Sequence, residues 1–255
     1  MLPTSSPLHD VVDFKVAGYA CNSKKQIRLP DLIRAFQETA LQSTLRLKVS
    51  VFDLAPLHLG WVLLGQYIKL NRAPGINESC TIVTCPTGFE RVFTYRDFHL
   101  LDAEGQSIGT ASTTWMLMDL RTRRMAQLPD WIKILGEQTP PSTEQLDRAP
   151  YRLILPTDGQ PIQDFRVGYH HLDVNGHLTN PVYVEWMLEG LPPTHFSTHI
   201  LAELNVQYKL EARYGETVTV HLQQMDDLRY LHSLEANGKV LATMQTRWGE
   251  DGEDK

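Results

Sequence analysis

Cysteine is scarce in this chain. Three residues, Cys21, Cys80 and Cys85, make an odd count with no metal-ligand spacing. That excludes a disulfide framework and a cysteine-held zinc site, and it fits a reduced, cytosolic compartment. Long apolar runs are also missing. None approaches the ~18 residues of a membrane-spanning helix, so no membrane span is expected. The first residues, MLPTSSPLHDVVDFKV, lack a basic start followed by an apolar stretch, so no secretory signal is expected either. A basic field is lacking too. The net charge is −6 and the pI about 5.9, which argues against a nucleic-acid partner held by general charge. What is present is 42% hydrophobic and 21% charged, a balance that can bury a core. At ~100–200 residues per domain, 255 residues allow one large domain or two small ones.

An internal repeat decides between these. FKVAGYACNSKKQIRLPDLIRAFQE, starting at Phe14, matches FRVGYHHLDVNGHLTNPVYVEWMLE, starting at Phe165, without a gap. Phe, Val, Pro and Glu recur at a constant offset of 151 (Phe14 on Phe165, Val16 on Val167, Pro30 on Pro181, Glu38 on Glu189). Further on, the segments around Glu78 and Glu216 match at an offset of 138, and those ending at Trp115 and Trp248 at 133. The offset shrinks as residues drop out of loops in the second copy, where deletions are tolerated.

Each copy predicts a strand (12–20 and 163–171), a loop, a helix opened by proline, and then four strands. In copy one these strands are 60–70, 79–86, 90–101 and 107–119. In copy two they are 203–210, 216–225, 227–237 and 239–248. Proline is tolerated in the first helical turn because its missing N–H would be unpaired there. Turn signals divide the strands at Gly105, Gly215 and Asn237-Gly238. A helix followed by antiparallel strands, twice over, is an α+β pattern. The copies set an N-terminal domain over 1–130, a linker over 131–160 and a C-terminal domain over 161–255. Around the linker, 121–160 is rich in Pro, Thr, Gln and charge, and Trp131 to Leu135 predicts one helical turn packed on a domain.

The copies differ where chemistry would sit. Copy two reads Asp173-Val-Asn175-Gly-His177-Leu-Thr-Asn180-Pro181, while copy one has Asn22, Lys24 and Gln26 at the first three polar positions. In an extended stretch alternate residues point the same way, so Asp173, Asn175 and His177 would face one cavity beside a helix N-terminus. The same residue types also make solvated turns, which the spacing leaves open. Asn180 is expected to be an N-cap. Glu211 falls on Ala73 at the offset of 138. By itself it reads as a glutamate at a strand end.

Here the residues match a known family. LPDLIRAFQETA, GWVLLGQYIKLNRAPGINE, TYRDFHLLDAEGQSIGTASTTWMLMDLRTRRMAQLP, HHLDVNGHLTNPVYVEWMLEGLP and ELNVQYKLEARYGE resemble the fatty acyl-ACP thioesterases of bacteria and plant plastids, over about residues 12–249. The resemblance implies two tandem hot-dog domains, each a central helix wrapped by an antiparallel sheet. It implies hydrolysis of fatty acyl thioesters of acyl carrier protein in a bacterial cytoplasm, with no cofactor and no metal. It carries the catalytic positions onto Asp173, Asn175, His177 and Glu211 in the second copy. It gives the acyl-chain site to the first, where Leu32, Phe36, Trp61, Leu63 and Trp115 are candidates. Many plant members have Cys after the catalytic Glu, whereas here Ala212 follows it.

Without a Cys or Ser placed to attack, water is the expected nucleophile, and Glu211 and Asp173 are both candidate bases. His177 would polarise the water or assist the leaving thiol, Asn175 would orient water or carbonyl, and N–H groups near Pro181 would hold the oxyanion. An acidic carrier needs a local basic patch, for which Lys24, Lys25, Arg28, Arg46, Lys48, Arg121, Arg123 and Arg124 are candidates. The sequence also admits a homodimer. Alternatives are an acyl-CoA thioesterase, or a non-catalytic fatty-acyl sensor, which would need no Asp-Asn-His-Glu set.

Overall fold

The computed structural model describes residues 2–149, 153–157 and 159–250. The extreme ends of both expected domains, and residues 150–152 and 158 of the expected linker, lie outside the described residues. In chain order the elements are β1 (Asp10–Lys15), α1 (Leu29–Arg46), α2 (Val51–Leu54), β2 (Leu59–Leu70), β3 (Ser79–Glu90), β4 (Phe93–Leu101), β5 (Ser107–Asp119), β6 (Arg124–Met125) and α3 (Asp130–Lys133). Then come β7 (Gln160–Arg166), α4 (Asn180–Leu188), α5 (Pro193–Thr198), β8 (His199–Tyr208), β9 (Thr217–Asp226), β10 (Arg229–Ala236) and β11 (Lys239–Glu250).

The strands form one antiparallel sheet in the order β1-β3-β4-β5-β2-β8-β11-β10-β9-β7, with β6 paired to β5. The second half of that order is the first reversed, so the two copies meet edge to edge. The seam runs from Gly65 opposite Gln207 to Lys69 opposite Glu203. A Cβ on Gly65 would stand 3.1 Å from the Val206 carbonyl, so the close approach of strands at the seam favours glycine.

The repeat extends to individual hydrogen bonds. Val16 N–H donates to the Glu78 carbonyl and Val167 N–H to that of Glu216, each at 2.9 Å. The indole N–H groups of Trp115 and Trp248 each donate to a threonine hydroxyl two residues back, Thr113 and Thr246. Equivalent side chains therefore satisfy equivalent polar groups.

Both helices lie against the sheet and touch each other, with Arg34 of α1 3.3 Å from Glu185 of α4. α1 buries Leu32, Ile33, Phe36, Ala40 and Ser43, one stripe at helical spacing, and carries Asp31 in its first turn and Arg46 in its last, as the helix dipole favours. α4 has nine residues, half as many as α1, and buries seven of them, because Gly190 and Pro192-Pro193 end it early.

Some expectations need correction. The strands expected over 12–20 and 163–171 stop at Lys15 and Arg166, and the chain turns through short 3₁₀ segments at Gly18–Ala20 and Tyr169–His171. Asn180 is not the N-cap. It is the first residue of α4, and Thr179 holds the cap position without a side-chain cap bond. The expected turn at Trp131–Leu135 is present as α3 and the 3₁₀ segment after it, with Ile132 fully buried against Val49, Leu54, Leu117 and Leu128. The linker also latches onto β4: Arg148 Nη1 is 2.6 Å from Asp97 Oδ1, and Leu146 N–H donates to Asp97 Oδ2 at 2.8 Å. Burial pushes the Asp97 carboxyl up, and the Arg148 guanidinium opposes that rise.

Candidate active site

The loop before α4 is a tight turn, not the extended stretch expected from alternation. Asp173 N–H donates to the His177 carbonyl at 2.8 Å, and Leu172 bridges Leu178. Asp173 Oδ1 accepts N–H bonds from Asn175 (2.8 Å) and His177 (3.1 Å), so its carboxylate ties the turn together. Gly176 adopts φ +77°, the left-handed conformation that the turn requires. His177 then bridges Arg213, which brings the turn against the segment carrying Glu211.

There His177 Nε2 lies 3.2 Å from Glu211 Oε2. The same oxygen accepts a bond from Arg123 Nη2, a residue of the first copy. The backbone on both sides of Glu211 is clamped by Tyr183 of α4, whose hydroxyl donates to the Leu210 carbonyl (3.1 Å) and accepts from Ala212 N–H (2.9 Å). Burial pushes the Tyr183 phenol up, so it stays a neutral donor.

Asp173, Asn175, His177 and Glu211 all line one cavity of about 970 Å³. The cavity crosses the seam into copy one, where Ala40, Leu41, Trp61, Leu63, Trp115 and Met116 form apolar wall. The Trp61 indole N–H is satisfied by the Val49 carbonyl at 2.8 Å, so this indole places no unpaired donor in the wall. Leu32 and Phe36 are not on the wall. Both are fully buried in the core, and Phe36 packs on Phe98 with ring centroids 5.2 Å apart. They sit on the side of α1 turned into the core cluster, whereas Gln37, Ala40, Leu41 and Thr44 border the cavity.

The cysteines stand away from this site. Cys80 and Cys85 are buried, and desolvation pushes both thiols up to about 11. Cys21 is half-buried, its thiol directed at the Ala17 carbonyl. Ala212, the residue after Glu211, is fully buried.

Of the expected basic patch, Arg28 pairs with Asp31, Arg46 makes a two-point contact with Asp10 (2.6 and 2.9 Å), and Arg123 is taken up by Glu211. Sequence reasoning missed two residues here. Tyr183 reads as helix core, and its signal is a hydroxyl in an otherwise apolar helix. Arg123 reads as one of a surface trio and carries no local signal of its target 88 residues away.

Two helices, each wrapped by its half of one continuous antiparallel sheet, are the layout of a tandem hot-dog fold. The acyl-ACP thioesterase N-terminal domain model matches residues 11–134, and the acyl-ACP thioesterase C-terminal domain model matches residues 156–250. The chain belongs to the acyl-ACP thioesterase family. It is 26% identical to a chloroplastic palmitoyl-acyl carrier protein thioesterase of Cuphea hookeriana, over 92% of this chain and 61% of that one. It is 25% identical to the chloroplastic oleoyl-acyl carrier protein thioesterase 1 of Arabidopsis thaliana, over 88% and 71%. The chain thus spans about three fifths of the length of the first of these relatives. Two solved structures share the fold. An acyl-ACP thioesterase from Bacteroides thetaiotaomicron superposes with TM-score 0.86 at 20% identity, covering 95% of this chain and 98% of that one. A 12:0-ACP thioesterase from Umbellularia californica gives 0.87 at 18%, covering 96% and 98%. Among the described residues no helix is long and apolar enough to cross a membrane.

Proposed function

We propose that this chain hydrolyses the thioester between a fatty acyl group and the phosphopantetheine arm of acyl carrier protein, in a bacterial cytoplasm. The observation that carries the reading is the Glu211–His177 pair of copy two, which opens onto a large, largely apolar cavity walled by copy one. The family relatives named for palmitoyl and oleoyl carrier-protein substrates support the substrate class. Three free cysteines fit a reducing compartment. The reading gives the N-terminal half the acyl chain and the C-terminal half the chemistry. It needs one chain, since both halves of the cavity come from the same polypeptide; sedimentation decides whether two chains pair.

Glu211 is the base in this reading. Oε2 is held by His177 and Arg123, and among the described residues Oε1 has no hydrogen-bond partner, so it is open to a water in the cavity. As the water oxygen bonds to the thioester carbon, its proton passes to Oε1. The carbonyl oxygen becomes an oxyanion, which the Asn175 amide and the Asn180 N–H at the start of α4 stabilise. The C–S bond then breaks, and the departing thiolate takes a proton with His177 as its relay. Asp173 keeps the turn closed and holds Asn175 and His177 in place.

A panel of acyl carrier proteins and acyl-CoAs of graded chain length, assayed for thiol release, tests the reading. Turnover several-fold faster on the carrier-bound substrates is expected. Preference for the CoA series would reassign the substrate, and no turnover on either would make the chain a binding protein.

A further inference from the structure

We propose that Arg123 is a positioning residue, through which the first copy of the repeat holds the carboxylate of the second. The inference rests on the reading of Glu211 as the base. The sequence groups Arg123 with Arg121 and Arg124 as a surface patch for an acidic partner. The structure separates it from them. Arg123 lines the cavity and bonds Glu211, whereas Arg121 and Arg124 form no ion pair among the described residues.

The turn between β5 and β6 is built to aim it. Asp119 Oδ1 accepts the N–H groups of Arg121 and Thr122, both at 2.9 Å, and the Asp119 carbonyl accepts that of Arg123 at 2.8 Å. Arg123 itself sits at φ +57°, a left-handed conformation uncommon for a residue with a Cβ. That geometry delivers Nη2 to Glu211 Oε2, the oxygen that also faces His177. A glutamate side chain about one third exposed would otherwise sample several rotamers. The Arg123 donor on Oε2, with the His177 ring 3.2 Å from the same oxygen, restricts it and leaves Oε1 facing the cavity as the basic atom, and such orientation acts on turnover more than on substrate affinity. At copy one's equivalent of Glu211 stands Ala73, so Arg123 serves a carboxylate present only in the other half. An ion pair this exposed contributes little to stability, so its removal should leave the fold intact.

The experiment measures kcat and KM for Arg123→Ala, Arg123→Lys, Glu211→Gln and the double variant Arg123→Ala/Glu211→Gln. Each is assayed on an acyl-ACP and on an acyl thioester of N-acetylcysteamine, with circular dichroism and melting curves as controls. Arg123→Ala is expected to lower kcat about tenfold or more on both substrates, with KM within about threefold. Arg123→Lys should recover part of the loss. In the Glu211→Gln background Arg123→Ala should cost nothing further, because the two residues act as one unit. If Arg123→Ala does not fold, Arg123→Lys and Arg123→Gln carry the same comparison. A KM increase confined to the acyl-ACP, with kcat kept, would make Arg123 a docking residue and overturn the inference. An impaired Glu211→Gln beside an unimpaired Arg123→Ala overturns it alone, whereas full turnover in Glu211→Gln overturns the reading of the site as well.

Discussion

Asn22 and Asp173 occupy the same place in the two copies and make the same bonds. Asn22 Oδ1 accepts from Lys24 N–H (3.0 Å) and Gln26 N–H (3.1 Å), and Asp173 Oδ1 from Asn175 N–H (2.8 Å) and His177 N–H (3.1 Å). The turn therefore does not need the negative charge, because copy one closes it with an amide. The two carboxylates differ in what they touch: Asp173 closes a turn, whereas Glu211 meets Arg123 and the His177 ring.

Glu211→Gln is expected to lower kcat by ~10²–10⁴, the range for a lost acid-base group. Asp173→Asn keeps the turn and should lower it by about tenfold or less, whereas Asp173→Ala opens the turn and should approach the loss in Glu211→Gln. Steady-state kinetics on one acyl-ACP checks the order. Asp173→Asn as inactive as Glu211→Gln would return the charge of Asp173 to the chemistry.

Tyr183→Phe removes the hydroxyl that bridges the Leu210 carbonyl and Ala212 N–H. Leaving a buried N–H unpaired costs about 1–3 kcal/mol, so the melting temperature should fall. Turnover should fall too, because the freed segment carries Glu211. Unchanged kcat in a destabilised variant would show that the clamp serves the fold only.

Chain-length preference should follow the cavity wall rather than the core. Ala40→Phe on α1 projects a ring into the cavity and is expected to move the preference toward shorter acyl chains. Phe36→Ala, in the core beneath, should instead destabilise the protein by about 3–5 kcal/mol, as truncations of buried aromatics do. Product analysis by chain length, beside melting curves, distinguishes the two. A chain-length shift from Phe36→Ala in a protein of normal stability would place the slot on the other side of α1.

Stability should decline on both sides of neutrality. Burial lowers His99 and His232 to about 4, so below ~6.5 the unfolded chain binds protons that the native state refuses, and stability falls as pH falls. Cys80 and Cys85 are raised to about 11, so above ~9 the native state keeps protons that the unfolded chain releases, and stability falls as pH rises. His232→Gln should flatten the melting temperature between about pH 6.5 and 5, above the usual carboxylate range. An unchanged slope in that variant would count against His232. The raised thiols stay protonated at neutral pH, so alkylation of Cys80 and Cys85 in the native protein should be slow, and turnover should survive replacement of all three cysteines, since none lines the cavity.

The repeat, its offsets and most strands were legible in the sequence. The expected strand over 107–119 coincides with β5, and those over 60–70 and 79–86 fall within β2 and β3. These depend on periodicity and turn residues, which act over a few neighbours. The early end of β1, the cap at Thr179 and the closed turn at Asp173 were not legible. The end of β1 depends on a backbone group that a distant segment offers, as Glu78 does for Val16, whereas the turn at Asp173 is closed by its own residues, one of two conformations that the spacing left open. The side of α1 that borders the cavity was not legible either. Leu32 and Phe36 share a helix with Ala40 and Leu41, but which side meets the cavity is set by the sheet packed on it.

The sequence by itself determined the α+β duplication, the family, and the half in which Asp173, Asn175, His177 and Glu211 stand, because local spacing and side-chain chemistry carry that information. Only the tertiary structure decided that Glu211 pairs with His177, that Asp173 closes a turn, and that Arg123 reaches across the seam. The Glu211–His177 and Glu211–Arg123 contacts join residues 34 and 88 positions apart, and the second exists because β2 and β8 pair edge to edge and bring the two copies around one cavity. No local pattern encodes a pairing of that range, since its cost in chain entropy is met only when the whole sheet closes.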